Sequence, residues 1–331
     1  MPDLPFPIIR TDERRSALGW MLSVAGWFSI FGGFFMAFWL AVRLIEDANP
    51  FVGFILGLGL LAAFYVLAFP RLVKLTIRGR KMRAPRALDI LSSGDRALVV
   101  LLRSFDDDDL IDPSFPATYH LAPGRYEERL VKALRLVGPA VALGRPGEPE
   151  PELGAARLYV KDEHWQEAIK YLLEKAGAVV ATVGKSQGLW WEIELALSRV
   201  PPDKLIFFFP YPAGRKVRES YLRMMLLQHP IFGRWLRRAT ASEMVAERER
   251  RYQLFRERFG PMFNGPLPPT LGSVRFLHLG SDRRPRFLEP LKPTLLTQLA
   301  TMNFSPQVDI PFSRELRPFV RKVKGGTLSS S

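Results

Sequence analysis

The sequence predicts an α/β protein in which two N-terminal transmembrane helices precede a three-layer domain with a parallel β-sheet, followed by an α-rich C-terminal extension. Two long segments near the N-terminus contain no charged side chain, and a run of basic residues follows the second of them. Beyond this run, short apolar segments alternate with amphipathic ones, which is typical of parallel strands with helices on both faces. A chain of 331 residues has room for one membrane segment and one sizeable soluble domain.

The two uncharged segments are long enough to cross a bilayer. Residues 17–42 and 51–70 comprise 26 and 20 residues. An α-helix rises about 1.5 Å per residue and the hydrocarbon core is about 30 Å thick, so each segment can span it. The first segment is longer than the apolar core of about 7–15 residues in a cleaved signal peptide. We therefore expect residues 17–70 to form an antiparallel transmembrane hairpin.

The distribution of basic residues predicts the orientation of this hairpin. Three arginines precede the first span: Arg10, Arg14 and Arg15. Seven basic residues follow the second span before any acid: Arg71, Lys74, Arg78, Arg80, Lys81, Arg83 and Arg86. The loop between the spans has only Arg43, with two acids. Since Lys and Arg are retained on the cytoplasmic side, we expect a multi-pass protein of the cell (inner) membrane with both termini in the cytoplasm. Residues 1–16 are then a cytoplasmic N-terminus, and 71–95 a basic juxtamembrane connector.

The net charge of +14 favours an anionic partner. Nucleic acid and the anionic membrane surface are the two candidates, because both attract Lys and Arg. The densest basic run adjoins the second span, and no known nucleic-acid-binding motif carries these charges. We therefore expect anionic membrane lipid as a partner and no nucleic acid. The chain contains no cysteine, which excludes disulfides, thiolate nucleophiles and thiolate metal sites.

Residues 96–212 are predicted to form the α/β domain. Four apolar runs have the length of buried strands: 96–105, 140–143, 177–183 and 204–210. Three segments with helical spacing of apolar residues lie between them: 124–137, 162–176 and 188–199. This alternation predicts a parallel sheet with helices on both faces.

The extension, residues 213–324, has a looser pattern. Two segments are predicted as helices, 215–228 and 241–259. Residues 273–279 are predicted to add a strand, and 287–302 a closing helix. The tail, 325–331, is expected to be disordered.

Ligands of open parallel sheets bind beyond the carboxyl ends of the strands, and three polar clusters fall there. The first comprises Arg103, Ser104, Phe105 and Asp106, with an acidic run to Asp109. The second is the loop Arg145–Gly147, and the third extends from Ser186 to Glu192. The acidic run has ligands for Mg²⁺, but a solvated acidic loop is the preferred interpretation because no Asp-x-Asp directly follows the strand.

Other kinds of site have no support in the sequence. The four histidines, His120, His164, His229 and His278, lack metal-ligand spacing, so no metal site is predicted. No serine lies in a nucleophile-elbow sequence, and glycine-rich phosphate motifs are missing.

Residues 96–212 resemble a TIR (Toll/interleukin-1 receptor) domain of the membrane-anchored bacterial type. The run VVLLRSFDDDD resembles the first TIR strand and its polar turn, and LGRPGE resembles the loop with a Pro-Gly pair. The most specific likeness is the spacing of Ser186, Glu192 and Ala196. One departure is that Gly188-Leu189 replace the Trp-Cys pair of many TIR domains, with tryptophans at 190 and 191 instead.

The resemblance implies a flavodoxin-like, three-layer fold and cleavage of NAD⁺ at the nicotinamide–ribose bond. The positively charged nicotinamide leaves as a neutral ring, so one carboxylate that stabilises the oxocarbenium-like ribose is sufficient. Glu192 is the predicted catalytic carboxylate, and Glu194 points about 200° away on the same helix. NAD⁺ is then a substrate, and no cofactor is expected. The predicted substrate-binding residues are Arg103, Ser104, Phe105, Asp106, Ser186 and Trp191.

The resemblance also implies self-association into a homo-oligomer, and a role as a defence or stress effector that clustering activates. Two alternatives stay open. The first is a non-catalytic TIR-like adaptor that assembles signalling partners at the membrane. The second is a nucleotide or lipid sensor.

Overall fold

The computed structural model describes residues 4–10, 16–47, 50–93, 97–104, 126–145, 153–210, 232–289 and 312–328. The chain divides into two compact units. One is helical and comprises Glu13–Ala84. The other is an α/β unit that comprises Met1–Asp12 and Pro85–Ser331.

The helical unit is an antiparallel pair. Helix α1 is Ser16–Asp47. The second arm begins with α2, Pro50–Ala63, passes through a π-helical segment, Phe64–Ala68, and ends with α3, Phe69–Met82. Small residues let the two arms approach closely, as in many membrane helix pairs. A Cβ built on Gly19 would lie 2.7 Å from the carbonyl oxygen of Gly79, and one built on Gly57 would lie 3.0 Å from the Cβ of Ala41.

One helix of this unit is long and apolar enough to cross a membrane, Ala17–Arg43, with 27 residues. The second arm contains only a shorter apolar helix, Phe51–Ala63. The structure therefore does not support a second transmembrane helix over 51–70. The apolar α-helix ends at Ala63, and the π-helical segment begins at Phe64. The segment predicted as a connector is helical, since α3 continues to Met82 and α4 is Ala87–Ser93.

The α/β unit contains a mixed, mostly parallel sheet of eight strands. They are β1 Ile8–Arg10, β2 Leu98–Leu102, β3 Ala140–Leu143, β4 Ala156–Val160, β5 Ala176–Thr182, β6 Leu205–Phe208, β7 Phe276–Leu279 and β8 Pro285–Leu288. Their order across the sheet is β1-β4-β3-β2-β5-β6-β7-β8. The five strands from β4 to β6 pair in parallel, whereas β1, β7 and β8 pair antiparallel at the two edges.

Helices cover both faces of the sheet, because the side chains of each central strand alternate between two hydrophobic cores. The first core includes Val100 and residues of three helices: α6 Trp165–Glu174, α7 Gln187–Arg199 and α8 Phe232–Phe259. The second core includes Val99 and residues of three other helices: α5 Tyr126–Leu134, α9 Phe312–Glu315 and α10 Arg317–Leu328. The unit is therefore a three-layer α/β/α structure.

The sequence identified four of the five parallel strands and the helices between them, but three strands, β1, β4 and β8, were not predicted. Strand β1 is short and lies before the apolar segments, and β4 contains a charged residue, Arg157, in its middle. The closing helix predicted over 287–302 is wrong at its start, where β8 includes Phe287 and Leu288. Beyond Glu289 that prediction falls outside the described residues, as does the helix predicted over 215–228.

The segment predicted as an extension belongs to the α/β unit. Strands β7 and β8 extend the sheet from β6, while α8 and α10 pack in the two cores. Helix α10 continues to Leu328, so part of the tail predicted to be disordered is helical.

Candidate functional site at the carboxyl edge of the sheet

The strand order creates a switch point between β2 and β5. After β2 the chain proceeds to β3 on one side of it, and after β5 it proceeds to β6 on the other side. In open α/β sheets, ligands bind in the crevice beyond the carboxyl ends of two such adjacent strands. In this sheet the corresponding position lies beyond Leu102 and Thr182, the last residues of β2 and β5.

Glu192 lies in the second turn of α7, the helix that follows β5. Ser186 caps this helix, because its Oγ accepts a hydrogen bond from the backbone N–H of Leu189 at 3.4 Å. Glu192 is buried, with 9% of its surface exposed. Burial raises the pKa of its carboxyl to about 8, and the positive charge of Arg103 opposes this shift.

The neighbouring acid, Glu194, has a different environment. Its carboxylate lies 2.9 Å from the guanidinium of Arg258 on α8, and 38% of its side chain is exposed. The two glutamates therefore point in different directions, as the helical geometry predicts.

Arg103, directly after β2, contacts α5 and β3. Its Nε lies 3.4 Å from Oε2 of Glu127 on α5, and its Nη2 donates a hydrogen bond of 3.5 Å to the carbonyl oxygen of Leu143. Its charge also acts on Glu192. Ser104 follows and is buried, with 3% of its surface exposed. The structure thus brings the charge of Arg103 within reach of Glu192, which are two of the predicted site residues. Ser104 follows β2 and Ser186 follows β5, the two strands that adjoin the switch point.

Glu127 is an ionised carboxylate that the sequence did not reveal. Its Oε2 accepts a hydrogen bond from Nη2 of Arg157 at 2.8 Å, and its Oε1 accepts one from the backbone N–H of Ala155 at 2.9 Å. Burial opposes ionisation, but Arg157 and Arg103 together lower the pKa of Glu127. The signal in the sequence was Arg157 itself, a charge within an apolar strand, which needs a buried partner.

A glycine makes room for this carboxylate. Gly154 has a φ of +137°, and a Cβ built on it would lie 2.6 Å from Oε1 of Glu127. The carboxylate and the backbone at Gly154 are therefore in close contact, which a side chain would prevent.

The two tryptophans of α7 have packing roles. Trp191 contacts Trp165 edge-to-face, with ring centroids 4.8 Å apart. Trp190 donates a hydrogen bond of 3.2 Å to the carbonyl oxygen of Gly184, and Arg258 lies 4.8 Å from its ring centroid. Both therefore fix the position of α7 relative to its neighbours.

Helix α8 also holds the loop between β5 and α7. Nζ of Lys185 lies 2.5 Å from Oε1 of Glu247, which also pairs with Arg251 at 3.2 Å. Lys185 is half-exposed at the carboxyl edge. Lys185 was not predicted as a site residue, although its place between Gly184 and Ser186 in a strand–helix loop indicates a position at the carboxyl edge.

Several predicted residues fall outside the described part of the chain. They are Phe105, Asp106, the acidic run to Asp109, and Pro146 with Gly147. Arg145 is described and is exposed. Within the described residues, no group of three or more His, Cys, Asp or Glu side chains is arranged to hold a metal ion.

Comparison with known proteins gave no relative. No protein-family model, no curated protein and no solved structure matches this chain.

Proposed function

We propose that this protein is a membrane-anchored, TIR-like enzyme that cleaves NAD⁺ at the nicotinamide–ribose bond, with Glu192 as the catalytic carboxylate. The observation that carries the proposal is a buried carboxyl, Glu192, on the helix that follows β5, with the positive charge of Arg103 after β2 acting on it next to the switch point between these strands. This is the place where a nucleotide binds in open α/β sheets.

The chemistry requires Glu192 to be ionised, because only the negative charge stabilises the oxocarbenium-like ribose. Burial raises the pKa of this carboxyl to about 8, so it is largely protonated at neutral pH. A positively charged nicotinamide ring beside it favours the ionised form, as does Arg103. Substrate binding therefore generates part of the charge that the reaction needs.

The polar groups around Glu192 suit the rest of the dinucleotide. The charge of Arg103 acts on Glu192 and can attract a phosphate, although Glu127 offsets part of it. Ser104 and Ser186 provide hydroxyl groups for a ribose. Phe105, Asp106 and Trp191 stay predictions as substrate contacts, with Phe105 expected to stack on a base or on nicotinamide.

The strand order supports the flavodoxin-like comparison. Without β4, the order of the remaining parallel strands, β3-β2-β5-β6, is 2-1-3-4 in chain order. Flavodoxin-like sheets have the order 2-1-3-4-5. In this protein β4 is an additional strand outside β3, and the antiparallel β7 occupies the place of the fifth strand.

Membrane anchoring through both arms of the helical unit is the second part of the proposal. Among the described residues, 26 large hydrophobic side chains are exposed, and 22 of them belong to this unit. So much exposed apolar surface is unusual for a water-soluble unit. The two arms are antiparallel, so the chain enters and leaves the hairpin at the same end. The basic flank favours the cytoplasmic side of the cell membrane.

Confinement to a membrane raises the local concentration of the α/β unit, which favours a homo-oligomer and activation by clustering. A non-catalytic adaptor is the second candidate. The observation that favours it is the burial of Glu192, since a protonated, packed carboxyl also suits a purely structural position.

The test uses the full chain reconstituted at high density in vesicles, with nicotinamide release followed by chromatography. Wild type is expected to release nicotinamide, and Glu192→Gln to lose this activity while keeping its fold. Glu194→Gln is the matched control on the same helix, and it is expected to retain the activity because Glu194 pairs with Arg258 instead. If dense wild-type protein leaves NAD⁺ intact, the adaptor becomes the preferred function.

A further inference from the structure

The helical unit is longer than a membrane is thick. Helix α1 has 32 residues, which corresponds to about 48 Å, whereas the hydrocarbon core is about 30 Å thick. Roughly a third of α1 must therefore lie outside the hydrocarbon if the helix crosses the bilayer. The pairing of the two arms shows which third this is.

The basic residues of α3 lie beside the first part of α1. Gly19 contacts Gly79, and a Cβ built on Gly26 would collide with the hydroxyl of Thr76. In an antiparallel pair, residues 17–26 of α1 are therefore level with about residues 72–81. This part of the second arm carries four basic residues: Lys74, Arg78, Arg80 and Lys81. Charged side chains are unfavourable in the hydrocarbon. The four basic residues therefore place this segment of the second arm outside the bilayer core.

The interior of the pair at this end is polar as well. Ser23 and Thr76 are buried, with 4% and 8% of their surfaces exposed. Arg83 donates a hydrogen bond of 2.9 Å to Oγ of Ser23, and its guanidinium lies 4.6 Å from the ring centroid of Trp20. Tryptophan and arginine together are typical of the membrane–water interface.

The opposite end of the helix pair also carries charged residues. Arg43 lies 3.6 Å from Glu46 and 5.4 Å from the ring centroid of Trp39. Between these two polar ends, about residues 26–45 of α1 are level with 53–72 of the second arm. Each of these stretches has 20 residues, which corresponds to about 30 Å. Their only charged residues, Arg43 and Arg71, lie near opposite ends of the pair, where a long arginine side chain extends to the interface.

We propose that this central part of the pair, 26–45 with 53–72, is the only part in the hydrocarbon. Residues 16–25 with 73–83 then lie in the headgroup layer, where the basic face of α3 binds the phosphates of anionic phospholipids. The first ten residues of α1, although apolar, are not part of the span. This inference rests on the membrane anchoring proposed above and is independent of NAD⁺ cleavage.

The absence of cysteine from the chain allows a direct test with single-cysteine variants. Met21→Cys and Phe35→Cys are matched, since 69% and 68% of these residues are exposed on the same helix. The full chain is inserted in vesicles with its α/β unit outside, and a membrane-impermeant maleimide is added. Met21→Cys is expected to be labelled, whereas Phe35→Cys is expected to be labelled only after detergent is added.

Protection of Met21→Cys together with Phe35→Cys would overturn the register and leave the membrane anchor intact. Labelling of both variants without detergent would overturn the anchor itself.

A second measurement tests the lipid partner: a fluorophore on Met21→Cys is quenched by headgroup-labelled phosphatidylglycerol or phosphatidylcholine. Stronger quenching by phosphatidylglycerol is expected, with loss of this preference in the Arg78→Gln/Lys81→Gln double variant. Equal quenching by the two lipids would contradict anionic headgroups as the partner.

Discussion

The positive charge of Arg103 acts on two carboxylates whose pKa values are shifted in opposite directions. It forms an ion pair with Glu127, whose pKa is lowered, and it acts on Glu192, whose pKa nevertheless remains raised to about 8. Glu127 has two arginines and a backbone N–H as partners, whereas burial dominates at Glu192. The charge of Arg103 thus acts on one carboxylate whose pKa is lowered and on one whose pKa is raised, and carboxylates with divergent pKa values are common in active sites.

The raised pKa of Glu192 predicts that this residue destabilises the fold as the pH rises. The folded state binds the proton more tightly than the unfolded chain, whose pKa is near 4.5. The stabilising contribution is therefore complete below about pH 4.5 and is lost as the pH rises to about 8. The slope is at most about 1.4 kcal/mol per pH unit.

Glu192→Gln removes this loss, so its free energy of unfolding relative to wild type should increase between pH 5 and 8. Urea titration of the full chain in detergent at several pH values measures the difference. A constant difference across this range would show that Glu192 does not titrate there.

Breaking the buried ion pair of Glu127 should be costly. Glu127→Gln leaves Arg157, whose side chain is 1% exposed, without its carboxylate partner. Removing one partner of a buried pair lowers the free energy of unfolding by about 3 kcal/mol or more. Urea titration near pH 7 measures the loss.

The matched control is Glu174→Gln, which breaks an exposed ion pair with Arg199 at 3.4 Å. Its expected effect is less than about 1 kcal/mol, because solvent screens such pairs. Equal losses in the two variants would show that Arg157 does not depend on Glu127.

Arg103 is predicted to be a positioning residue for Glu192. Its positive charge favours the ionised carboxylate, so Arg103→Gln should raise the pKa of Glu192 further. The pH midpoint of nicotinamide release should then shift upward, which a merely structural loss of folded protein does not cause. Arg258→Gln is the control, since Arg258 pairs with Glu194 and should leave the midpoint unchanged. A lower midpoint in Arg103→Gln would contradict this role.

A strand was predictable where its own residues are enough to show that it is buried. Strands β2 and β5 are buried on both faces and consist almost entirely of apolar residues, so their sequences identify them. Strand β4 was not predicted, because the charge of Arg157 is balanced by Glu127, which lies 30 residues earlier. Strand β1 pairs with β4, although the whole helical hairpin lies between the two strands in the sequence. No local sequence pattern reveals a pairing between such distant segments.

The candidate site was predictable in part for the same reason. The different directions of Glu192 and Glu194 follow from helical geometry alone. The role of Glu127 depends on the order of β2, β3 and β4 in the sheet, which brings Arg103 and Arg157 to one carboxylate. The π-helical segment in the second arm could not be predicted either, because its residues are as apolar as those of the α-helix before it.

The pH dependence of nicotinamide release tests the central claim most directly. The full chain is reconstituted at high density in vesicles, and initial rates are measured from pH 6 to 9. We predict that kcat/KM for wild type rises with pH toward a plateau above about pH 8, where Glu192 is ionised. Glu192→Gln should show no release at any pH. Release by Glu192→Gln at the wild-type rate, or no release by wild type, would contradict the account.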